Sequence, residues 1–517
     1  MDEHVNDFNK DNLQLYYDEI DKKGLTGAWD SILNQFSKRK NKFPTFFCKE
    51  SDFPEMYEIG LAHINKIEKK ELGKYYTPED VADVMAKWLV NLEGENVVDV
   101  CCGCGNLIIR FLSVIGEKKS KQLLRNGNIF LYDVDSLALK IAKQRIALIY
   151  GTEYSKYIKC KCGDFLSKKV RLPRDCKVIS NPPYHKISNF SNDWDLTENI
   201  KESKELYSAF YEKIIKQSKS SVIISPHSFI SGEKFYSLRT LMNNYSGFIV
   251  SFDNVPGSIF NGKKKGIFNS NATNSVRAAI SVIKNCKAEG FKISPLIRFK
   301  NSERKQILNN NFLEKQLGSV KQKISVTTKK YGKCPKKLEK VYDKWIKYSE
   351  KQLSNYISEK NTEYLIVFPN TCRYFTVAAS INLERKGKYQ MYLKDQRSFV
   401  LTYAFLNSSF AYLYWRIFDG GITYTLSLLE SLPVFFDKID EDMYLKIKKI
   451  VDIMMVEEKK YIVKKKNAGE YQNNIKFPKK YRDTLNEVFL NIIGINNYDC
   501  FEQLHSNQIK EVENSEN

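Results

Sequence analysis

The sequence has no uninterrupted apolar run long enough to cross a lipid bilayer, which takes about 20 residues. Its opening stretch, MDEHVNDFNK, is polar and lacks the apolar core of a secretory signal peptide. We therefore expect a soluble, cytoplasmic protein rather than a membrane or secreted one. In a reducing compartment its eleven cysteines would remain thiols.

Acidic residues are in short supply, because 61 Asp and Glu stand against 82 Lys and Arg and the formal net charge is +21. Such an excess favours a polyanionic partner, most simply nucleic acid, whose phosphates are neutralised by Lys and Arg. The alternative explanation is the basic surface of a protein from a lysine-rich proteome. No heptad run is evident, and we expect a monomer, although an oligomer stays open.

The length of 517 residues predicts more than one domain. Segment 1–70 reads as polar and helical. In segment 71–284, apolar strand-like runs alternate with helical patterns, which predicts an α/β fold with a mostly parallel sheet and helices on both faces. Segment 285–517 is less regular and rich in Lys and Asn, and we expect a mixed α+β domain that ends in helices.

The expected secondary structure can be stated by segment. The strands of the α/β segment are predicted at NVVDVCC (96–102), NIFLYDV (128–134), CKVIS (176–180), SSVIISP (220–226), FIVSFDNV (248–255) and VRAAISVI (276–283). Its helices are predicted at 81–92, 137–149 and 205–217. Farther along, strands are expected at NTCRYFTVAAS (370–380) and GKYQMYLKDQ (387–396), and helices at 403–418, 437–466 and 476–493.

The stretch VVDVCCGCGN combines a strand, a carboxylate and a glycine turn. Asp99 lies at the end of the strand, and Gly103 and Gly105 allow the backbone to approach a ligand closely. Ligands of open α/β sheets bind beyond the carboxyl ends of the strands. The third glycine of a dinucleotide fingerprint and the lysine of a phosphate-binding loop are both missing, so neither of those sites is predicted.

The cysteines of this stretch invite a zinc interpretation. Cys101 and Cys104 have the spacing of zinc ligands, but the following pair, Cys160 and Cys162, is a poor complement to them. We interpret the cysteines as small packing residues and expect no metal site.

Two further acids follow at the ends of the next elements. Asp133 ends its strand where a carboxylate can hold ribose hydroxyls. Asp135 or Ser136 is placed to cap the helix that follows. Asp164 lies at the next turn, beside Phe165. Acids at three successive element ends are more informative than any one of them.

An apolar run ends directly in Asn181, Pro182, Pro183 and Tyr184. The amine of adenine is a poor nucleophile, because its lone pair is delocalised into the ring, and an enzyme that alkylates it must accept hydrogen bonds from both of its N–H groups. Asn181 offers a side-chain carbonyl, and Pro182 offers a backbone carbonyl at fixed φ. Pro183 stiffens the turn. Tyr184 offers a ring on which a base can stack, for about 1–3 kcal/mol. A proline turn that merely closes a strand is the simpler alternative.

Together these motifs resemble those of S-adenosylmethionine-dependent DNA adenine-N6 methyltransferases of the γ arrangement. In that arrangement the cofactor motifs come first, the Asn-Pro-Pro-Tyr motif next and the target-recognition region last. The stretch ELGKYYTPEDVADVMAKWLV (71–90) resembles the family's first motif, whose Thr-Pro turn opens a helix beneath the methionine carboxylate. The resemblance implies a Rossmann-like methyltransferase sheet, S-adenosyl-L-methionine as cofactor and double-stranded DNA as partner.

The resemblance also implies roles for individual residues. Asp133 would hold the ribose, and Asp164 with Phe165 would address the cofactor's adenine. The cofactor-binding set it implies is Tyr76, Thr77, Asp99, Cys101, Gly103, Gly105, Asp133, Asp164, Phe165 and Asn181. The catalytic turn would be Asn181, Pro182, Pro183 and Tyr184. The stretch FDNVPGSIFNG (252–262) resembles the segment whose aromatic completes a sandwich around a flipped base, and we choose Phe260, with an ordinary core phenylalanine as the alternative.

Beyond this region the resemblance concerns the ends of recognition domains in type II methyltransferases, in 419–436 and 467–483. The lysines that could neutralise phosphates are Lys263, Lys264, Lys265, Lys329, Lys330, Lys336 and Lys337. A solvated surface charge is the alternative for each of them. Arg373 and Tyr374 could reach base edges, but no spacing rule assigns them.

Other functions remain compatible with the same turn. They are methylation of cytosine N4 in DNA, of a guanine amine in RNA or of a glutamine side chain in a protein, and a non-catalytic DNA-binding subunit on a methyltransferase fold. A separately encoded restriction endonuclease is a possible partner. The target sequence is not readable, because base readout depends on side-chain geometry in the least regular part of the chain.

Overall fold

A computed structural model describes residues 10–37, 48–64, 77–260, 276–286, 289–319, 325, 329–372, 374–421, 423–467 and 470–505. The described residues form two compact units. The first comprises those of Met1–Phe229, Lys234–Lys292 and Arg298–Lys315, and the second those of Ile230–Glu233, Ile293–Ile297 and Gln316–Asn517. The division into segments 1–70, 71–284 and 285–517 stays a prediction.

One large sheet organises the first unit. Its strands are β1 (Asn96–Val100), β2 (Ile129–Asp133), β3 (Lys159–Cys162), β4 (Cys176–Ser180), β5 (Ser220–Pro226), β6 (Ser246–Phe252), β7 (Ala278–Lys284) and β8 (Gly290–Ile297), and the last five residues of β8 are counted with the second unit. They lie in the order β3-β2-β1-β4-β5-β7-β6-β8. The pairs from β3 through β5 are parallel, whereas β7 runs antiparallel to both β5 and β6. The predicted mostly parallel sheet is thus confirmed.

Helices connect and cover these strands. The helices of the first unit are α1 (Lys10–Ser37), α2 (Phe53–Ile64), α3 (Glu79–Val90), α4 (Asn106–Ile115), α5 (Glu117–Arg125), α6 (Ser136–Tyr150), α7 (Thr152–Ser155), α8 (Glu198–Ser203), α9 (Leu206–Gln217), α10 (Tyr236–Met242), α11 (Arg304–Ile307) and α12 (Asn310–Lys315). Successive residues of β1, β4 and β5 are buried, so both faces of the sheet are covered.

Each of the six predicted strands of this unit is present within a few residues of its expected position. The short β3 was not predicted, because all four of its residues are exposed at the sheet edge and carry no apolar signal. The helical prediction for the amino-terminal segment is confirmed for its described part, in which α1 is interrupted at Gly24 (φ 71°). Trp29 and Phe53 of this segment share a buried cluster with Ile141 of α6.

The second unit is built from helices around an aromatic core, with three two-stranded sheets. Its helices are α13 (Glu339–Tyr348), α14 (Gln396–Asn407), α15 (Ser409–Phe418), α16 (Leu426–Glu430), α17 (Glu441–Glu457), α18 (Lys479–Ile492) and α19 (Glu502–His505). Its strands are β9 (Lys351–Gln352), β10 (Leu365–Pro369), β11 (Lys388–Tyr392), β12 (Pro433–Val434), β13 (Ile462–Asn467) and β14 (Glu470–Ile475). Trp345, Phe405, Phe410 and Phe489 lie in its core.

Three predictions for this unit need correction. The strand expected at 370–380 is instead β10, which ends at Pro369 and pairs antiparallel with the correctly predicted β11. The helix expected at 403–418 is two helices, because Ser408 leaves the helical conformation and its hydroxyl caps α15. The helix expected to reach 466 ends at Glu457, since the chain beyond it forms β13 and pairs with β14.

Within the described ranges, the structure has no helix that is both long and apolar enough to span a membrane.

Candidate active site

Several of the predicted cofactor and catalytic residues lie at the carboxyl edge of the sheet. Val100 of β1 is opposite Ser180 of β4, and β2 runs parallel on the other side of β1. The residues that end or directly follow these strands, Cys101, Asp133 and Asn181, therefore come to one edge. The hydroxyl of Ser180 donates to the carbonyl of Val100 at 2.7 Å, which fixes the start of the Asn-Pro-Pro-Tyr turn against β1.

The amide of Asn181 is held at both of its ends. Its Nδ2 donates to the hydroxyl of Thr77 at 2.9 Å, and its Oδ1 accepts from the hydroxyl of Tyr184 at 2.6 Å. Each end of the amide therefore has a hydroxyl partner, with the oxygen facing Tyr184 and the nitrogen facing Thr77. Pro182, which follows, is buried, and Pro183 is half-buried.

Tyr184 has aromatic neighbours on more than one side. Its ring centroid lies 6.0 Å from that of Phe260 at an interplanar angle of 67°, and 6.4 Å from that of Tyr207 at 78°. Tyr184 and Phe260 are thus in contact in an edge-to-face geometry, and the expected sandwich of a base between them stays a prediction. A base between two parallel rings needs about 7 Å between them, two base-stacking distances. The rings must separate and rotate before they can enclose one.

Asp99 is a fully buried carboxyl group within β1. Its Oδ2 accepts from the backbone N–H of Ile108 at 3.2 Å, and its Oδ1 has no hydrogen-bond partner among the described residues. Burial raises the pKa of Asp99 well above its usual range, and the nearby Asp133 carboxylate raises it further. A buried carboxyl oxygen beside a glycine turn is a feature that a cationic or N–H-bearing ligand would satisfy.

The glycine turn leaves open space at one position and packs closely at another. A Cβ placed on Gly103 (φ 50°) would meet nothing within 4 Å, whereas one on Gly105 (φ 81°) would lie 3.0 Å from the Cβ of Ala142. Cys101 also has a positive φ, of 61°, which is uncommon for a residue with a side chain. Burial and the neighbouring carboxylates raise the pKa of its thiol. Gly103 therefore offers room for a ligand, and Gly105 lets α4 approach α6.

Asp133 joins the glycine turn to the end of β2. Its Oδ2 accepts from the backbone N–H of Gly103 at 2.8 Å, and its Oδ1 accepts from that of Asp135 at 3.0 Å. The sequence left Asp135 and Ser136 as candidates for the cap of α6. Asp135 is the cap, because its side chain accepts from two backbone N–H groups of the helix. The hydroxyl of Tyr57 also donates to Asp135.

Asp164 and Phe165 have different environments. Asp164 is exposed, and its carboxylate accepts from the backbone N–H of Leu166 at 2.9 Å and from the indole N–H of Trp194. Phe165 is 3% exposed, and its ring stacks on that of Phe210 at 5.2 Å. Its expected contact with a cofactor stays a prediction.

Lys213 lies beside a predicted site residue, Phe165, but was not itself predicted from the sequence. Its Nζ lies 5.1 Å from the ring centroid of Phe165 and donates to the carbonyl of Ser167 at 2.7 Å. Burial, together with the Arg171 charge, lowers the pKa of Lys213 to about 8. It follows Phe165 by nearly fifty residues, on α9, so that no local pattern linked the two.

Arg304 was also missed, and it connects two parts of the site. Its guanidinium donates to both carboxylate oxygens of Asp80 in the first turn of α3, and also to the carbonyls of Ser258 at 2.9 Å and Ile259 at 2.6 Å. The first contact lies next to the Thr77 turn, and the second lies next to Phe260. The predicted Thr-Pro turn does open a helix, since α3 begins at Glu79.

The remaining predicted contacts fall into three groups. Tyr76, Lys263, Lys264, Lys265 and Arg373 lie outside the described residues. Lys329, Lys336 and Lys337 are exposed, and Tyr374 is 46% exposed. Lys330 is only 5% exposed, so its selection as a solvent-facing phosphate contact was wrong. Its burial had no sequence signal, since it lies in a Lys-rich run.

The cysteines that were interpreted as packing residues differ in their burial. Cys102 and Cys104 are buried, as the packing interpretation expects, whereas Cys160 and Cys162 are exposed on β3. The packing interpretation was therefore wrong for the second pair.

Comparison with known proteins gives a family match over the region just described. Residues 49–267 match the family model described as N-6 DNA Methylase. The type II methyltransferase M.VspI of Vibrio sp. (strain 343) is 28% identical over 287 residues, which are 53% of this chain and 65% of that protein. A type I restriction enzyme MpnII methylase subunit of Mycoplasma pneumoniae is 22% identical over 142 residues, 26% of this chain and 25% of that subunit.

Solved structures resemble the chain more distantly. A cryo-EM structure of a DrdV–DNA complex shares 12% identity, covers 81% of this chain and 60% of that one, and has a TM-score of 0.46. The chain spans less than two thirds of the length of the curated relatives it matches.

Proposed function

From the premise that residues 49–267 belong to the N-6 DNA methylase family, we propose that this chain transfers a methyl group to the N6 amine of adenine in double-stranded DNA, at a specific sequence. The observation that carries the proposal is the amide of Asn181, held by Thr77 and Tyr184 at the carboxyl edge of the sheet. The net charge of +21 supports a polyanionic substrate.

The residues at the sheet edge suit S-adenosyl-L-methionine as the methyl donor. Asp99 offers a buried carboxyl oxygen, and Gly103 leaves space that a side chain would fill. Asp133 ends β2, where carboxylates hold ribose hydroxyls in related sheets. The start of α3, just after Thr77, presents backbone N–H groups suited to a carboxylate. When bound, this cofactor supplies an electrophilic methyl group on a sulfonium.

The turn itself would prepare the amine for attack. The side-chain oxygen of Asn181 and the backbone carbonyl of Pro182 accept hydrogen bonds from the two N–H groups of the adenine amine. Accepting both bonds concentrates electron density on the nitrogen as the transition state forms. The proton becomes acidic only once the nitrogen carries the methyl group, so positioning and electrostatics account for most of the rate.

Aromatic side chains would hold the target base. The base leaves the DNA stack, at a cost of a few kcal/mol, and stacks on Tyr184. Phe260 completes the enclosure from the other side. Because the two rings touch edge to face at 6.0 Å, entry of the base requires Phe260, Tyr184 or both to move.

The names of the relatives support a more specific proposal. The names of the matched proteins include a type II methyltransferase and type I restriction-enzyme methylase subunits. We extend the proposal accordingly to a modification enzyme of a restriction–modification system, acting in the cytoplasm of a prokaryote, with a separately encoded endonuclease as a possible partner.

A modification map tests the proposal. The chain would be expressed in a host that lacks adenine methylation, and its genomic DNA sequenced by a method that distinguishes N6-methyladenine from N4-methylcytosine. The expected result is N6-methyladenine in one fixed sequence context, absent when Asn181→Ala is expressed. N4-methylcytosine in its place, or an unmodified genome from folded, cofactor-binding protein, would overturn it. RNA and protein acceptors would then be assayed.

A further inference from the structure

The hairpin formed by β13 and β14 is built like a nucleic-acid contact. We infer that this ribbon binds duplex DNA in the major groove, with lysines on the phosphates and Gln472 at a base edge. The inference rests on the proposed function, for which it names an element of DNA recognition. The family match ends at 267, and the predicted lysine contacts do not include this ribbon. Residues 467–483, which contain β14, resemble the end of a recognition domain, and the inference names the residues of that region that contact DNA.

The base of the hairpin is anchored to its own unit. Ile475 is 2% exposed and packs with Val367 and Leu383. The Nδ2 of Asn473 donates to Glu384 at 3.3 Å, and Arg385 donates to the side-chain oxygen of Asn474 at 2.6 Å. A ribbon fixed in this way keeps its direction, so its outer part can act as a rigid contact.

The outer part carries positive charge around an exposed ring. Lys464, Lys465 and Lys466 are all exposed, and Tyr471 is 62% exposed. The Nζ atoms of Lys464 and Lys466 lie 5.3 and 5.9 Å from the centroid of the Tyr471 ring. The hairpin segment 462–475 holds three lysines and one acid, Glu470. Lysines around an exposed aromatic ring are complementary to the phosphates of a nucleic-acid backbone.

The other face of the ribbon carries a candidate for base readout. Lys465 is directly opposite Gln472, whereas Lys466 is opposite Tyr471, and neighbouring pairs point to opposite faces. A glutamine amide can donate to and accept from the major-groove edge of adenine. The major groove admits a two-stranded ribbon, and strands of six residues extend about 20 Å, enough to follow it for several base pairs.

A different role for the lysines must be separated from this one. Lysines on a short, two-stranded ribbon also discourage edge-to-edge pairing between molecules. That role predicts aggregation when the lysines are removed, with the DNA affinity of the remaining monomer unchanged. The DNA-binding role predicts weaker binding by a protein that stays monomeric.

The decisive experiment is a salt titration of duplex DNA binding by the full chain. The test variant replaces Lys464, Lys465 and Lys466 with serine. The matched control replaces Lys118, Lys119 and Lys156 with serine. These lysines are exposed on the first unit, Lys118 and Lys119 in α5 and Lys156 directly after α7. Size-exclusion chromatography of each variant reports aggregation.

We expect the slope of log Kd against log salt to fall by about 2–3 for the test variant, because each phosphate contact contributes about 0.9. The control should keep the wild-type slope. Equal slopes for the wild type and the test variant, or equal changes in both triple variants, would overturn the inference. So would a wild-type chain that does not bind duplex DNA.

Gln472→Ala separates base readout from phosphate contact. At saturating enzyme, its modification map should accept additional bases at one position of the target, while the salt slope stays that of the wild type. Gln472→Glu should instead disfavour adenine at that position. An unchanged map for both variants would exclude base readout by Gln472.

The outcomes also separate this inference from the proposed function. If the wild-type chain methylates DNA but its salt slope does not depend on the hairpin lysines, only the inference that the hairpin binds DNA is excluded. If the wild-type chain binds DNA through the hairpin but transfers no methyl group to the DNA, only the proposed methyl transfer is excluded.

Discussion

The hydroxyl of Tyr184 donates to the side-chain oxygen of Asn181 at 2.6 Å. This is the oxygen that the target amine would use in the proposed reaction. A carbonyl oxygen has two lone pairs, so it can accept from Tyr184 and from the amine together. In the proposed reaction the ring of Tyr184 would stack on the base, while its hydroxyl would orient the amide of Asn181.

Replacing Asn181 tests the first of these contacts. Asn181→Ala removes the acceptor, and we expect methyl transfer to fall by at least about 100-fold, the effect of losing one transition-state hydrogen bond. Cofactor affinity, measured by calorimetry, should change by less than about 3-fold, which corresponds to about 0.6 kcal/mol in binding free energy. Turnover at the wild-type rate would rule out the role given to Asn181.

Asn181→Asp is the matched variant. The carboxylate can still accept from Tyr184 and from the amine, but it cannot donate to the hydroxyl of Thr77 as Nδ2 does. We expect its transfer rate to lie between those of the wild type and Asn181→Ala. A rate as low as that of Asn181→Ala would indicate that the donor end matters as much as the acceptor end.

Two substitutions of Tyr184 separate its ring from its hydroxyl. Tyr184→Ala removes the stacking surface, and we expect a loss of about 1–3 kcal/mol in binding of the extruded base. Tyr184→Phe keeps the ring and removes the hydrogen bond to Asn181, so base binding should survive while the transfer rate falls by about 10-fold, the effect of one ordinary hydrogen bond. The fluorescence of 2-aminopurine at the target position measures base extrusion, and single-turnover methylation measures transfer.

The relative effects decide the interpretation. If both variants lose base extrusion equally, then the hydroxyl contributes to binding and the assignment of an orienting role is wrong. If Tyr184→Phe behaves like the wild type in both assays, then its bond to Asn181 is dispensable.

The main elements around this site were readable from sequence because each has a strong local pattern. The run CKVIS is buried throughout and becomes β4, and the two prolines after it leave little conformational choice. The cap at Asp135 likewise follows from its position before an apolar helical pattern. Buried parallel strands and proline or cap positions are determined largely by neighbouring residues.

The features that could not be predicted from the sequence depend on contacts between distant residues. Trp194 meets Asp164 thirty positions away, and Arg304 meets Asp80 at a separation of 224. Neither residue stands in a pattern that names its partner. Lys330 shows the converse, because a lysine-rich stretch predicts solvent exposure and tertiary packing buried it. Local sequence determines the helices and strands, whereas the hydrogen bonds and ion pairs between them form only when the fold brings distant residues together.

The buried carboxyl group of Asp99 predicts a dependence of stability on pH. Because its pKa is raised on folding, the protonated form is favoured in the folded state. Its contribution to stability is therefore fully present below the ordinary Asp pKa and is lost as the pH rises through the folded-state value, at about 1.4 kcal/mol for each pH unit between the two.

Asp99→Asn removes this titration and keeps the shape of the side chain. In the absence of cofactor, we expect the variant to have the larger free energy of unfolding at neutral and alkaline pH, with the difference shrinking as the pH falls toward the ordinary Asp pKa. Urea denaturation over a range of pH measures both curves. A difference that is constant with pH would show that Asp99 does not titrate in this way.

The contacts of Arg304 predict an energetic coupling between the start of α3 and the segment that carries Phe260. Arg304 pairs with Asp80 on α3 and also donates to the carbonyls of Ser258 and Ile259. Arg304→Met would leave these carbonyls without their donor, and we expect a loss of about 1–3 kcal/mol in the free energy of unfolding. Asp80→Asn, whose amide still offers one acceptor, should cost less.

A double-mutant cycle of Arg304→Met and Asp80→Asn isolates their interaction. Residues in one hydrogen-bonded ion pair show coupling energies of about 0.5–3 kcal/mol, and we expect a value in that range from urea denaturation. Arg304→Lys keeps the charge but cannot reproduce the paired bonds to a carboxylate, so it should recover little of the coupling. If the coupling were zero, Asp80 and Arg304 would stabilise their segments separately. A coupling in the expected range means instead that the start of α3 is joined energetically to Arg304, the residue that also donates to the carbonyls of Ser258 and Ile259.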